Sequence, residues 1–211
     1  MTVAPPLHAA NERTTGILEA ACRVIVREGS HGLRMAGVAE EAGVSKALVH
    51  YYFSTRQELM HSAFAFSVTR WHAAVEAELV GAKTGREKVE RIFLAGVETD
   101  LPFSEQKVLW NEVWSSLRSD DTLRPLVEGS YRASIDRLVE LIEEGRADGS
   151  IPAEVDATAA GWRLEAVGDG LDSLLYLGLL EPERVGELLL SAIVRELDVP
   201  VAAPVDVPSP G

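Results

Sequence analysis

Residues Ala39 to Leu59 read AEEAGVSKALVHYYFSTRQEL, and this stretch decides the fold. Gly43 stands where a helix would end in a left-handed turn, and Ser45, two positions on, is a good N-cap for the next helix. The apolar positions Met35, Val38, Ala39 and Ala42 predict a short helix over about 35–42, and a second is predicted over about 45–52. Helix, short turn, helix follows. On a wheel of ~100° per residue, Val49, Tyr52 and Phe53 fall on one side, and Ala47 and Tyr51 fall opposite, flanked by Leu48 and His50. The first set anchors; the second is presented. Ala47 is small enough for close approach to another surface, while Lys46, His50, the tyrosine hydroxyls and Arg56 can all donate to phosphate oxygens. Such an inventory suits a helix lying in a DNA major groove.

On both sides of this stretch, almost every segment has helical periodicity. Ile17, Ala20, Ala21, Val24 and Ile25 define one face of a helix over about 12–28, from an Asn11 N-cap to Gly29. Leu59, Ala63, Phe66, Arg70, Ala73 and Ala77 mark a long helix from Arg56 to about Val80, closed by GAKTGRE. Helices over about 86–100, 104–118 and 122–147 come next, the last carrying Val127, Tyr131, Ile135, Leu138 and Ile142 on one face and ending at ADGSIP. Two final helices, about 154–178 and 182–197, hold more apolar surface than one face can bury. Gly161, Ala166, Gly168 and Gly170 in the first of them permit close helix packing. No strand pattern occurs, so the expected class is all-α with about nine helices. The expected layout begins with a flexible 1–10 and ends with a disordered Pro-rich tail over 199–211.

Charge is unevenly spread. The 211-residue chain has a formal net charge of −13, but residues 1–60 hold six basic and six acidic side chains, so the whole excess lies beyond residue 60. Overall acidity disfavours indiscriminate polyanion binding, yet phosphate contact depends on local charge, and a neutral N-terminal segment with its cations on one face can grip DNA. No apolar run approaches the ~18–20 residues of a membrane span, and the N-terminus lacks a basic then apolar leader, so a cytoplasmic location is expected, without membrane contact. The single Cys22 excludes an intrachain disulfide and a cysteine-based zinc cluster. For an enzyme the chain lacks a constellation: His8, His31, His50 and His61 lie in or beside the N-terminal part, and GDGLDS at Gly168–Ser173 interrupts no helix pattern. The expectation is a protein that is not an enzyme and uses no cofactor or metal. An all-helical small-molecule-binding protein or enzyme without DNA binding is the alternative, and it leaves Lys46, Tyr51 and Arg56 without a purpose.

The motif Ala42-Gly43-Val44-Ser45, followed by Lys46 to Tyr51, the Tyr52-Phe53 pair, Arg56 and Leu59, resembles the DNA-binding segment of the TetR-type transcriptional regulators. The resemblance is dense over residues 12–60; beyond them it is one of helix number, length and order. It implies that Lys46, Ala47 and Leu48 meet bases and that His50, Tyr52 and Arg56 meet phosphates, within a DNA-binding set that also includes Arg34, Ser45 and Tyr51. His50 stands where the family commonly has Tyr, Arg56 where it has Lys, and Arg34 where it has a Thr cap. The resemblance further implies a helix-turn-helix domain over 11–57 and an effector-binding and dimerisation domain over 58–198. The implied activity is that of a dimeric repressor, bound to double-stranded operator DNA of palindromic sequence and released by a small-molecule effector. Homodimerisation is expected through the helices at about 154–178 and 182–197. Trp71, Phe93, Phe103, Trp110, Trp114 and Trp162 are the candidate effector-binding aromatics, with Glu165 the candidate carboxylate and Glu112 and Asp169 as further acidic partners. Aromatic walls with a carboxylate suit a cation, and the C-terminal pattern resembles the choline-pathway repressors of the same family. Aromatic pairs at helical spacing, such as Trp110 and Trp114, also suit plain core.

Overall fold

The computed structural model describes residues 12–97, 101–117 and 121–198, and for residues 101–106 the backbone alone. The expectations for 1–10 and 199–211, the Asn11 cap and the Phe103 side chain lie outside what it describes. The described residues form nine α-helices and no strand. These are α1 (Glu12–Gly32), α2 (Met35–Glu41), α3 (Lys46–Tyr52), α4 (Arg56–Glu78), α5 (Gly85–Ala95), α6 (Leu101–Ser116), α7 (Arg124–Asp148), α8 (Ala157–Tyr176) and α9 (Pro182–Leu197). No described helix is long and apolar enough to cross a membrane.

Two compact units account for the packing. The first takes in Met1–Ala77 and Thr99–Ser130, the second Glu78–Glu98 and Tyr131–Gly211. Packing thus groups α6 with the helix-turn-helix, across the boundary at residue 58 that the sequence suggests. In the first unit α1 packs against both α2 and α6, and α2 against α3. The expected stripe of α1 is its core face: Ile17, Ala20 and Ala21 are fully buried, with Val24 and Ile25 nearly so. Cys22 is buried beside them.

Regular α1 stops where the sequence says it should, at Gly29, whose φ of 74° and ψ of 167° are not helical. One more helical turn, Ser30 to Gly32, follows before α2. At its other end α2 is tied back to α1 by Glu41, which accepts from Arg23 Nε at 2.8 Å and from Arg27 Nη1 at 2.9 Å. Those bonds, Arg23's first, hold the Glu41 carboxyl below its ordinary range.

The second unit has its own core, in which Val89, Leu141, Ile142, Ala160 and Leu197 are fully buried. Thr84 caps α5 by accepting from the Glu87 amide at 3.1 Å, and Glu87 Oε2 accepts from the Lys83 amide, one residue before the cap, at 2.8 Å. Several boundaries differ from expectation. α5 ends at Ala95, and α6 begins at Leu101, because Pro102 is tolerated in a first turn, whose amides need no helical partner.

Gly85 makes the closest approach in this unit: a Cβ there would strike the Gly145 amide nitrogen and the Leu141 carbonyl oxygen, and would lie 2.5 Å from the Gly145 Cα. Backbone cannot rotate away as a side chain does. Gly85→Ala therefore costs about 3 kcal/mol in denaturant unfolding by forcing α5 off α7. Gly129→Ala, where no described atom lies within 4 Å, adds up to about 1 kcal/mol by helix propensity. Equal stabilities for the two variants would contradict this packing.

Candidate functional site

Helix α3 has seven residues, too few to persist unaided, and the structure shows what holds it. Gly43 has φ 65°, which turns the chain out of α2, and the Val44 amide closes that turn on the Ala39 carbonyl at 2.9 Å. Ser45 then caps α3, its Oγ accepting from the Leu48 amide at 3.2 Å. Val49 is fully buried and Phe53 nearly so. With that edge pinned, Lys46, Ala47, His50 and Tyr51 are exposed together, Tyr51 at 80 %, while Leu48 and Tyr52 are half-buried. The rings of Tyr51 and Tyr52 meet edge to face with centroids 5.1 Å apart. One continuous face therefore offers an ammonium, a methyl, an imidazole and a phenol.

Arg34 stands at the N-cap of α2, exposed and making no side-chain cap. Arg56, the first residue of α4, is placed differently from a simple phosphate clamp. Its Nε donates to the Leu33 carbonyl at 2.7 Å and its Nη2 to that of Ser30. A guanidinium has further N–H groups, so this bond to the α1–α2 joint and a phosphate contact are compatible. The same joint is held from α6. Glu112 Oε2 accepts from the Ser30 amide at 2.5 Å, and Ser116 Oγ lies 3.3 Å from Ser30 Oγ. The sequence suggests Glu112 as an acidic partner for an effector, and nothing local in it indicates a bond to a residue 82 positions away.

The effector candidates divide between the two units. In the first, Trp71 and Trp110 are half-buried, and Trp110 meets Phe64 edge to face with centroids 5.0 Å apart. Trp114 is 51 % exposed. In the second unit Phe93 is buried, with its ring against Gly168, where a Cβ would come within 2.9 Å of Cε1. Trp162 is 57 % exposed. Glu165 and Asp169 lie one turn apart on α8. Tyr131 donates from its hydroxyl to Asp169 Oδ2 at 2.7 Å. Burial pushes the Glu165 carboxyl up to about 7, against a hydrogen bond with Ser134 that lowers it and the charge of Asp169 that raises it further. Asp169 is also raised, first by desolvation of its carboxyl, then by Asp172. These two carboxyls sit in a setting that disfavours their negative charge and would be relieved by a cation.

The outer surface of α8 and α9 carries Trp162, Leu174, Leu177, Leu190 and Val194 as exposed apolar side chains. Along α8 they fall in one stripe with Ala166 and Gly170, and Gly170 has no described atom within 4 Å of a would-be Cβ. The glycines expected to allow close packing therefore part company. Gly161 faces Val139 of α7, Gly168 faces Phe93 of α5, and Gly170 lies on the open stripe.

Comparison with known proteins agrees with this arrangement. Residues 17–63 match the family model described as bacterial regulatory proteins, tetR family, and residues 85–198 match that of the BetI-type transcriptional repressor, C-terminal. The HTH-type transcriptional regulator BetI of Agrobacterium fabrum is 30% identical over 168 residues, covering 76% of this chain and 82% of that protein. Among solved structures, a TetR-family regulator from Rhodococcus sp. superposes with TM-score 0.79 at 28% identity, covering 88% of this chain and 98% of its own. A transcriptional regulator from Saccharomonospora viridis, crystallised in complex with choline, superposes with TM-score 0.78 at 25% identity, covering 88% and 97%. With the helix-turn-helix and the C-terminal helices both matched, the chain belongs to the TetR family of bacterial transcriptional regulators, which are DNA-binding proteins and not enzymes, and its C-terminal part is of the BetI repressor type.

Proposed function

We propose that the chain is a cytoplasmic, effector-responsive repressor that binds a palindromic operator as a homodimer and is released by a small organic cation. The observation that carries the DNA reading is the exposed face Lys46, Ala47, His50 and Tyr51, mounted on the buried Val49 and Phe53. Lys46, Ala47 and Leu48 address base edges, with the apolar Leu48 suited to a thymine methyl. Arg34, Ser45, His50, Tyr51, Tyr52 and Arg56 address the backbone. Residues 11–57 form the reading domain in this account, and 58–198 the effector and dimer domain.

Dimerisation is assigned to the apolar stripe of α8 and α9, whose small residues Ala166 and Gly170 suit close approach of a symmetry mate. For the effector, support comes from Glu165 and Asp169 on α8 and from the choline found in the Saccharomonospora viridis relative. The aromatic candidates in the same unit as those carboxyls are Phe93, whose ring packs on Gly168 beside Asp169, and Trp162, one turn before Glu165. The ligand must prefer the state that does not bind DNA, and a coupling of about 1–3 kcal/mol makes a useful switch.

Fluorescence anisotropy with the intergenic DNA beside its own gene tests the DNA reading. The wild type should bind, and Lys46→Ala should cost about 1–3 kcal/mol and relax preference at one base position. Absence of binding, or an unchanged Lys46→Ala, would count against it. For the effector, the sign of the pH effect follows from Glu165. Its carboxyl, pushed up to about 7, is mostly protonated at pH 6, and a cation must displace that proton to gain the charge. Choline affinity by calorimetry should thus fall by up to about tenfold per unit below pH 7, level off above about pH 8, and lose this dependence in Glu165→Gln. A flat wild-type profile would overturn the assignment of Glu165, and absence of choline binding would overturn choline.

A further inference from the structure

The joint between α1 and α2 is held from two directions by ions of opposite sign. At Gly29 the chain leaves helical geometry with φ 74°, a value that favours glycine. The next residue, Ser30, is 3 % exposed, so its polar groups need partners within the protein. Its amide donates to Glu112 Oε2 of α6 at 2.5 Å, and its carbonyl accepts from Arg56 Nη2 at the start of α4. Arg56 Nε also holds the Leu33 carbonyl, one residue before the α2 cap at Arg34. The Glu112 carboxylate lies over Gly29 itself, where a Cβ would touch Oε2 at 3.4 Å. Ser116, one turn on, fixes the same end of α6 by donating to the Glu112 carbonyl at 2.8 Å and lying beside Ser30 Oγ.

We propose that Glu112 is a positioning residue for DNA reading: by holding the Ser30 amide, its carboxylate sets the angle at which α2 and α3 leave α1. The physical reason is the leverage of the joint. Ser30 to Leu33 is the only covalent path from α1 into the helix-turn-helix, and its non-helical entry at Gly29 lacks the ladder that fixes a regular helix. A charge-assisted bond to a buried amide supplies the missing constraint. Arg56, fixed to the carbonyl side of the same residue, passes that constraint to the start of α4, four residues after the end of α3. Glu112 acts through Ser30 and touches no DNA in this scheme. The proposal rests on the reading of α3 as the DNA-contacting helix.

Two near-isosteric variants of the full chain separate reach from charge. Glu112→Asp keeps the charge but withdraws the acceptor by one methylene, whereas Glu112→Gln keeps the reach and an acceptor oxygen. Operator affinity is read by anisotropy well below the melting temperature of each variant, and protection of the Ser30 amide by hydrogen exchange without DNA. Glu112→Asp should lose protection at Ser30 and bind operator about tenfold more weakly, the size expected for one charge-assisted hydrogen bond. Its salt slope should be unchanged, since no phosphate contact is removed. Glu112→Gln should keep part of that protection and bind about threefold more weakly than wild type, because a neutral acceptor holds the amide about half as strongly. A purely structural role would lower the melting temperature of Glu112→Asp and leave the affinity of folded protein intact, which would overturn the proposal. Unchanged Ser30 protection in Glu112→Asp would overturn it too. Wild-type protein that binds no operator would instead sink the reading of α3, a result distinguishable from either.

Discussion

The exposed face of α3 depends on the burial of Val49 and Phe53. A seven-residue helix has no stability of its own, and its orientation is whatever its anchors impose. Two side chains withdrawn from water contribute about 1.5–3 kcal/mol each, enough to fix one edge of α3 against the rest of the unit. The other features of the motif then follow in sequence. Gly43 turns the backbone, Ser45 satisfies a first-turn amide, and the Arg23 and Arg27 bonds to Glu41 fasten α2 to α1. What remains outside is a face of four exposed side chains, Lys46, Ala47, His50 and Tyr51.

Acidity elsewhere in the chain is compatible with this face. All of the net charge of −13 lies beyond residue 60, and the two most perturbed carboxyls, Glu165 and Asp169, sit on α8 in the second unit. A negative body weakens indiscriminate attraction to DNA, so affinity is left to the local match between the α3 face and a site. Desolvation raises both carboxyls, and a neighbouring positive charge would offset that penalty.

Features set within four residues were legible in the sequence. The apolar stripe of α1, the left-handed Gly43, the Ser45 cap and the inward Val49 and Phe53 all follow from spacing, and the structure has each of them. Long-range partners were not legible. Arg56 on the Ser30 and Leu33 carbonyls and Glu112 on the Ser30 amide join residues with no shared local pattern, so the family resemblance points Arg56 only to phosphate and charge points Glu112 only to a ligand. Periodicity likewise finds an apolar face without saying what covers it. Gly161 and Gly168 approach α7 and α5, whereas Trp162, Leu174 and Val194 stay at the surface of the single chain.

In the proposed function, the presented face of α3 reads DNA sequence in two copies. Selection of bound duplexes from a random-sequence pool by the full chain, at near-physiological salt, tests it most directly. The expected result is enrichment of an inverted repeat whose half-sites lie about one helical turn, roughly 10–10.5 base pairs, apart or a multiple of it. Lys46→Ala and Leu48→Ala should each change the preferred base at separate positions within the half-site. No enriched motif, or a motif that both variants leave unaltered, would contradict it.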